Sequence, residues 1–191
     1  MAFFLFCQSS FLLAQATKPI TIKNGSFEGM PHDAVNPDGW QSCGYDSSPD
    51  ILPGPWGVYQ KPTEGRTYLG LITRENNTWE TIYQKLQKPF QKERCYKFKV
   101  DLSHSPTYAG YSKATRLRVW LSNDACTRTK LIADSPTIEH YEWKTYEFIF
   151  STEENYNYII IEAYYQAPSL YYYRGNLLLD NISVFESCDR A

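Results

Sequence analysis

The chain lacks the signatures that most enzymes carry. Among its 191 residues there are only three histidines, His32, His104 and His140, and none lies in a nucleophile motif. No GxSxG, HExxH or phosphate-cradling glycine loop occurs, which argues against elbow-type hydrolases, zinc peptidases and P-loop nucleotidases. No cysteine has CxxC or Cys/His spacing, which argues against zinc. Net charge is −2 and the pI is about 5.9, so no basic field points to nucleic acid or an anionic membrane. No run of like charges marks a tail. No apolar run is long enough to span a bilayer, and mean hydropathy is −0.49. No segment joins helical periodicity to caps at both ends; the nearest, Ile132–Glu139, is short and broken by Pro136. Neither an internal repeat nor a linker is visible, so the length suits one domain with a full core.

What the chain has in quantity is aromatic side chains: 16 Tyr, 10 Phe and 5 Trp. These fill β cores and, where exposed, make flat contact surfaces. The start, Met1–Ala16 (MAFFLFCQSSFLLAQA), has a short apolar region and the small-x-small Ala14-Gln15-Ala16. It reads as a signal peptide cleaved after Ala16, leaving a domain over 17–191, although no basic residue precedes the apolar run. Export then leaves Cys43, Cys95, Cys126 and Cys188 as an even set, for which three connectivities exist. Cys95 opens one strand and Cys188 closes the last; as antiparallel neighbours they would meet, so the preferred pairs are Cys95–Cys188 and Cys43–Cys126.

The pattern is β from end to end. Short strands are expected over Thr17–Lys23 and Trp56–Gln60, and longer ones over Arg66–Arg74, Thr78–Leu86, Cys95–Leu102, Arg116–Leu121, Glu142–Ser151 and Tyr156–Gln166. Cys95–Leu102 is the cleanest, with Tyr96, Phe98, Val100 and Leu102 at period two. Gly29–Pro53 is long and irregular, with Trp40 and Cys43 as possible anchors. The last segment, Gly175–Cys188, sets Leu177, Leu178 and Leu179 beside Asp180. A carboxylate next to a core is costly unless it is paired, hydrogen-bonded or on a metal. Glu80 and Gln84 share a face with Ile82 and Leu86, which is odd for polar residues. Such spacing predicts an antiparallel β-sandwich.

Several stretches together resemble the galactose-binding-like jelly rolls: NGSFEG at Asn24–Gly29, PDGW at Pro37–Trp40, GRTYLGL at Gly65–Leu71, Trp79–Leu86, CYKFKVDL from Cys95, and GNLLLDNISV from Gly175. These folds include carbohydrate-binding modules attached to xylan- and cellulose-degrading enzymes and the secreted jelly-roll domains of the Bacteroidetes. The resemblance implies a structural calcium where the first and last strands meet, held by Glu28 and Asp180 with carbonyls near Asn24 or Ser26 and near Thr67. Carboxylates and carbonyls suit that ion. The alternative is that Asp180 caps a turn through backbone N–H groups.

A sugar site needs aromatic faces and planar polar groups. Alternation places Arg118 and Trp120 on the strand face opposite Leu117, Val119 and Leu121, and Tyr164 lies on a strand that could neighbour it. Trp56 and Tyr59 are loop candidates, with Tyr108 and Tyr111, and so is Tyr172 within Tyr171-Tyr172-Tyr173-Arg174, where at least one ring must face outward. The expected function is an exported, non-catalytic, cell-surface or secreted module that binds polysaccharide or another glycan. Two alternatives are an adhesive domain that meets cell-surface proteins and a small glycan hydrolase. The strand acids Glu80, Asp101 and Glu162 are the candidates for a catalytic pair.

Overall fold

The computed structural model describes residues 18–166 and 170–188. The expected leader, residues 1–16, lies outside the described residues. Among the described residues twelve strands form: β1 (Gln41–Ser42), β2 (Asp50–Leu52), β3 (Tyr68–Thr73), β4 (Thr81–Phe90), β5 (Cys95–Ser103), β6 (Lys113–Ala114), β7 (Arg116–Ser122), β8 (Lys130–Asp134), β9 (Lys144–Ser151), β10 (Tyr156–Tyr164), β11 (Gly175–Asp180) and β12 (Glu186–Ser187). One sheet has five strands in the order β1-β4-β10-β7-β8. The other has seven: β12-β5-β11-β3-β2, with β9 on β5 and β6 beside β11. All neighbours are antiparallel except the short β6–β11 pair.

The core is the seam between the sheets. Leu117, Val119 and Leu121 of β7, with Ile159 and Ile161 of β10, face Leu69 and Leu71 of β3, Phe98 and Val100 of β5, and Leu177 and Leu179 of β11. Phe90 anchors an aromatic end of the seam, 4.9 Å from Tyr96 and 5.0 Å from Phe185. The run Leu177-Leu178-Leu179 has a simple account. Period two sends the outer pair into the seam and Leu178 to the far side. There a second cluster of Leu52, Val58, Tyr68, Ile72 and Tyr108, covered by Tyr111 and Trp143, buries it completely.

Two expected strands differ. Of Thr17–Lys23, the described residues contribute only a bridge from Ile20 to Phe185, because the Asn24-Gly25 turn follows at once. Trp56–Gln60 is not a strand: Pro55–Gly57 is a 3-10 turn in which Trp56 has φ 56°. The segment around Ile132 is strand β8 rather than a helix. Both disulfides form as expected, Cys43–Cys126 and Cys95–Cys188. Trp40 is buried against Phe27 and donates its indole N–H to the Asn24 carbonyl at 3.1 Å, which pins the irregular stretch.

The odd polar residues in and just before β4 also work as pins. Gln84 reaches out of the sheet to accept the Lys23 N–H at 2.6 Å and donate to the Lys23 and Gly39 carbonyls at 2.9 and 3.0 Å. Glu80 is fully buried and accepts from Arg74 Nη2 at 2.7 Å, the Ile72 N–H at 3.0 Å and the Ser48 hydroxyl at 3.1 Å. Burial pushes its carboxyl up to about 8, against the pull of Arg74.

Candidate functional site

The outer face of the five-stranded sheet carries the chemistry, and register dictates its layout. Directly paired antiparallel residues share a face. One row is Tyr83, Ile160 and Trp120; the next is Thr81, Glu162 and Arg118; Tyr164 and Arg116 follow. Alternation thus brings together the predicted Arg118, Trp120 and Tyr164. The Arg118 guanidinium lies 3.8 Å from the centroid of the Tyr164 ring, and that of Arg116 lies 5.6 Å away. Asp134 on the neighbouring strand balances them, 3.1 Å from Arg116 Nη1 and 3.6 Å from Arg118 Nε.

Glu162 holds the arrangement. Its side chain is 1% exposed and is the acceptor for two indoles, Trp79 Nε1 at 2.7 Å and Trp120 Nε1 at 2.9 Å. Arg128 Nε donates to it at 2.6 Å. One carboxylate therefore fixes two tryptophan planes and one guanidinium through charge-assisted bonds. Trp79 meets Tyr164 edge-on at 4.9 Å, and the Arg128 guanidinium sits 5.4 Å from the Trp79 ring. Tyr165 secures the β3–β4 turn that presents Trp79, donating to the Arg74 carbonyl and to that of Thr78 at 3.1 Å.

Ile160, Glu162 and Thr81 are buried on a face turned away from the core, so something covers them. Over Glu162 and Thr81 the cover comes from the β7–β8 loop, residues 123–129. Cys126 is bonded to Cys43, just beyond β1, whose N–H donates to the Thr81 carbonyl at 2.8 Å. Arg128 in the same loop bonds Glu162 on β10 and Thr81 Oγ1 on β4. The loop is thus a strap laid from β7 across β10 to β4. Beside it lies a groove of about 330 Å³ lined by Lys23, Gly39, Gln41, Tyr83, Lys85, Gln87, Ala125 and Tyr158, with Gln84 at its base.

The other predicted residues sit elsewhere. Trp56 (45% exposed) and Tyr59 (76%) belong to the loop over the far sheet, where Trp56 meets Tyr111 at 6.5 Å. Tyr172 (53%) lies at the rim beyond the end of β10, against Tyr165 at 5.2 Å. Tyr171 also faces outward, whereas Tyr173 is buried and donates to the Ala114 carbonyl at 2.9 Å. The three strand acids do not share a cleft. Glu162 is on this face, Asp101 lies in the other sheet, bonded to Thr145 and Asn181, and Glu80 is held by Arg74 and Ser48. Sequence reasoning missed Trp79 and Arg128: alternation within the expected strand Thr78–Leu86 puts Trp79 on the face of Thr81 and Tyr83, where it forms a bridge with Thr73, whereas Arg128 comes from a loop, and no periodicity reports which face a loop crosses.

Asp180 and Glu28 form a different kind of site. Asp180 Oδ2 accepts from the Thr63 N–H at 2.7 Å, the Thr63 hydroxyl at 2.9 Å and the Glu64 N–H at 3.1 Å; Oδ1 accepts from the Asn181 N–H at 2.8 Å. Glu28 Oε1 accepts from the Arg66 and Thr67 N–H groups at 2.9 and 3.2 Å. Burial raises the Asp180 pKa, and these hydrogen bonds pull it back. No cluster of three or more His, Cys, Asp and Glu that could hold a metal occurs among the described residues. N–H groups aim their positive ends at both carboxylates, and the contacts present are those of a backbone clamp. Ser26 belongs to the adjoining turn.

The sequence profile of a carbohydrate-binding domain matches residues 21–169. No curated protein matches the chain. Among solved structures, the CBM22-1 xylan-binding domain of Paenibacillus barcinonensis Xyn10C superposes with a TM-score of 0.56 at 14% identity, covering 92% of this chain and 100% of that one. A cyclase from Fischerella sp. TAU in complex with 4-(1H-indol-3-yl)butan-2-one gives 0.59 at 16% identity, covering 91% and 100%. The arabinose-bound α-L-arabinofuranosidase MgGH51 gives 0.62 at 12% identity, covering 88% of this chain but 26% of the enzyme. At such identities the likeness is one of fold.

Proposed function

The chain belongs to the carbohydrate-binding domain family, and on that premise we propose that it is an exported, non-catalytic module that binds glycan on the outer face of its five-stranded sheet. The observation that carries the reading is the set of rings keyed to Glu162. Trp79 and Trp120 are fixed by its carboxylate, and Tyr164 stands against Trp79 with the Arg118 guanidinium over its ring. Rigid aromatic edges and faces offer apolar contact to sugar C–H surfaces, and guanidinium groups donate to hydroxyls. Rings already locked lose little freedom on binding, which favours affinity. Export is supported by two disulfides, which persist in oxidising compartments, and by the signal-like Met1–Ala16 segment.

The test is affinity electrophoresis or calorimetry against soluble xylans and β-glucans, with Tyr164→Ala, Arg118→Ala and Trp120→Ala. Loss of a stacking or charge-assisted contact is expected to weaken binding by about tenfold or more for each change, while the fold, read by far-UV circular dichroism, stays intact. Failure to bind any polysaccharide, together with capture of a protein partner that Trp56→Ala or Tyr59→Ala abolishes, would favour the adhesive reading, to which those two exposed rings belong.

A further inference from the structure

The groove beside the strap has a chemistry of its own. Two cations line it, Lys23 and Lys85, and no carboxylate does. That is not inherited from composition, because acidic residues outnumber basic ones, 21 to 19. Some lysines pair with carboxylates, Lys97 with Glu186, Lys99 with Glu147 and Lys130 with Glu153, whereas others among the described residues, Lys61 and Lys144 included, do not; what sets Lys23 and Lys85 apart is that they face one groove together. Among the described residues, Lys23 and Lys85 have no carboxylate partner.

Lys23 is a constructed position. Gln84 holds both its N–H and its carbonyl, and its stem lies across Gly39. A Cβ on Gly39 would stand 2.8 Å from Lys23 Cδ, and the φ of +88° there also favours glycine. Lys85 stands over the Tyr158 ring at 6.0 Å, and Tyr158 is 6.2 Å from Tyr83. The Tyr83 hydroxyl is bonded to Gln41. Two rings, two ammonium groups and the amides of Gln41 and Gln87 therefore surround a space of about 330 Å³, at the small end of ligand pockets. Ala125 of the strap walls one side.

We propose that this groove takes an acidic sugar unit, one carrying a carboxylate or a sulfate, with Lys23 and Lys85 as its counter-charges and Tyr83 and Tyr158 as its contact faces. The proposal rests on the carbohydrate reading above and narrows it to anionic glycans. An ammonium group that meets no protein carboxylate gains a charge-assisted bond when an anion enters, so charge sets the selectivity of the groove.

The experiment compares polygalacturonate with its fully methyl-esterified form, and dextran sulfate with dextran, at low and at physiological salt. The wild-type chain and the double variant Lys23→Gln/Lys85→Gln are measured side by side, with melting temperatures as the control for folding. Wild type is expected to prefer one charged member over its neutral twin by about tenfold or more, less so at higher salt. The double variant is expected to bring that ratio close to one. The pair that shows the preference identifies the acid as carboxylate or sulfate. Equal binding of charged and neutral twins, or a preference that survives the double substitution, overturns the acidic groove. Binding to neutral xylan in that case leaves the carbohydrate reading standing. Absence of binding to every glycan overturns both.

Discussion

At the scale of single residues, buried carboxylates do the organising. Glu162 is the clearest, because one side chain satisfies two indoles and a guanidinium. Glu162→Gln keeps the shape but puts an amide N–H where a donor already points. Arg128 is partly exposed, so solvent screens the ion pair, and the expected loss of stability is about 1–3 kcal/mol. The amide keeps one acceptor oxygen where Trp79 and Trp120 use two, so one indole loses its partner, and the variant should also show altered tryptophan fluorescence and weaker glycan binding. Unchanged fluorescence with unchanged affinity would show that Glu162 does not position the rings. A second prediction concerns pH. Burial raises the carboxyls of Asp50 and Asp180, and that of Glu80 to about 8. A group with a raised folded pKa binds protons in the folded state that the unfolded state has released. Its stabilising contribution is full below the unfolded value, near 4.5 for Glu80, and is lost as pH climbs to about 8. The melting temperature is therefore expected to fall from pH 5 to pH 8, and Glu80→Gln to flatten that slope. A melting temperature that rises over this interval would contradict it.

At the scale of elements, loops decide what strands cannot. The alternating strands were legible: Tyr96, Phe98 and Val100 enter the core, and Arg118 with Trp120 take the opposite face, because a half-buried strand writes its period into the sequence. Strands β1, β2, β6 and β12 have two or three residues each, too few to show a period. The platform was half legible for the same reason. Its strand members, Trp79 included, follow from alternation, whereas Arg128 arrives on a loop whose course depends on tertiary partners. The 63–67 loop shows what such a course requires. Asp180 from the last long strand and Glu28 from the first turn grip its backbone from two sides, and Gly65 between them has no room for a side chain: an added Cβ would lie 2.0 Å from Glu28 Oε1. A clamp made of hydrogen bonds needs no ion. The melting temperature is expected to be the same in chelator and in millimolar calcium, while Asp180→Asn lowers stability by about 1–3 kcal/mol through its mismatched amide. A drop in chelator that Asp180→Asn abolishes would instead place calcium between these residues, since an ion bound only by the folded state adds stability with its concentration.

At the scale of the whole molecule, the two disulfides divide the labour. Cys95–Cys188 joins residues 93 apart and ties β5 to the end of the chain, beside the β5–β12 pairing. Cys43–Cys126 spans 83 residues and fastens the strap over the outer face. Loops of that length give each bridge a stabilising effect of about 4–5 kcal/mol on chain-entropy grounds, so stability alone should not tell them apart. Function should. Cys95→Ser/Cys188→Ser loosens an edge remote from the rings, whereas Cys43→Ser/Cys126→Ser leaves the strap held by Arg128 and its turn contacts. That second variant is expected to loosen the wall that Ala125 gives the groove. It is expected to lose glycan selectivity at temperatures well below its melting point, while the first keeps it. The comparison of the two variants at matched fractions folded checks this. Equal loss of selectivity in both would mean that the bridge over the face is a staple of the fold alone, and that the strap stays in place without it.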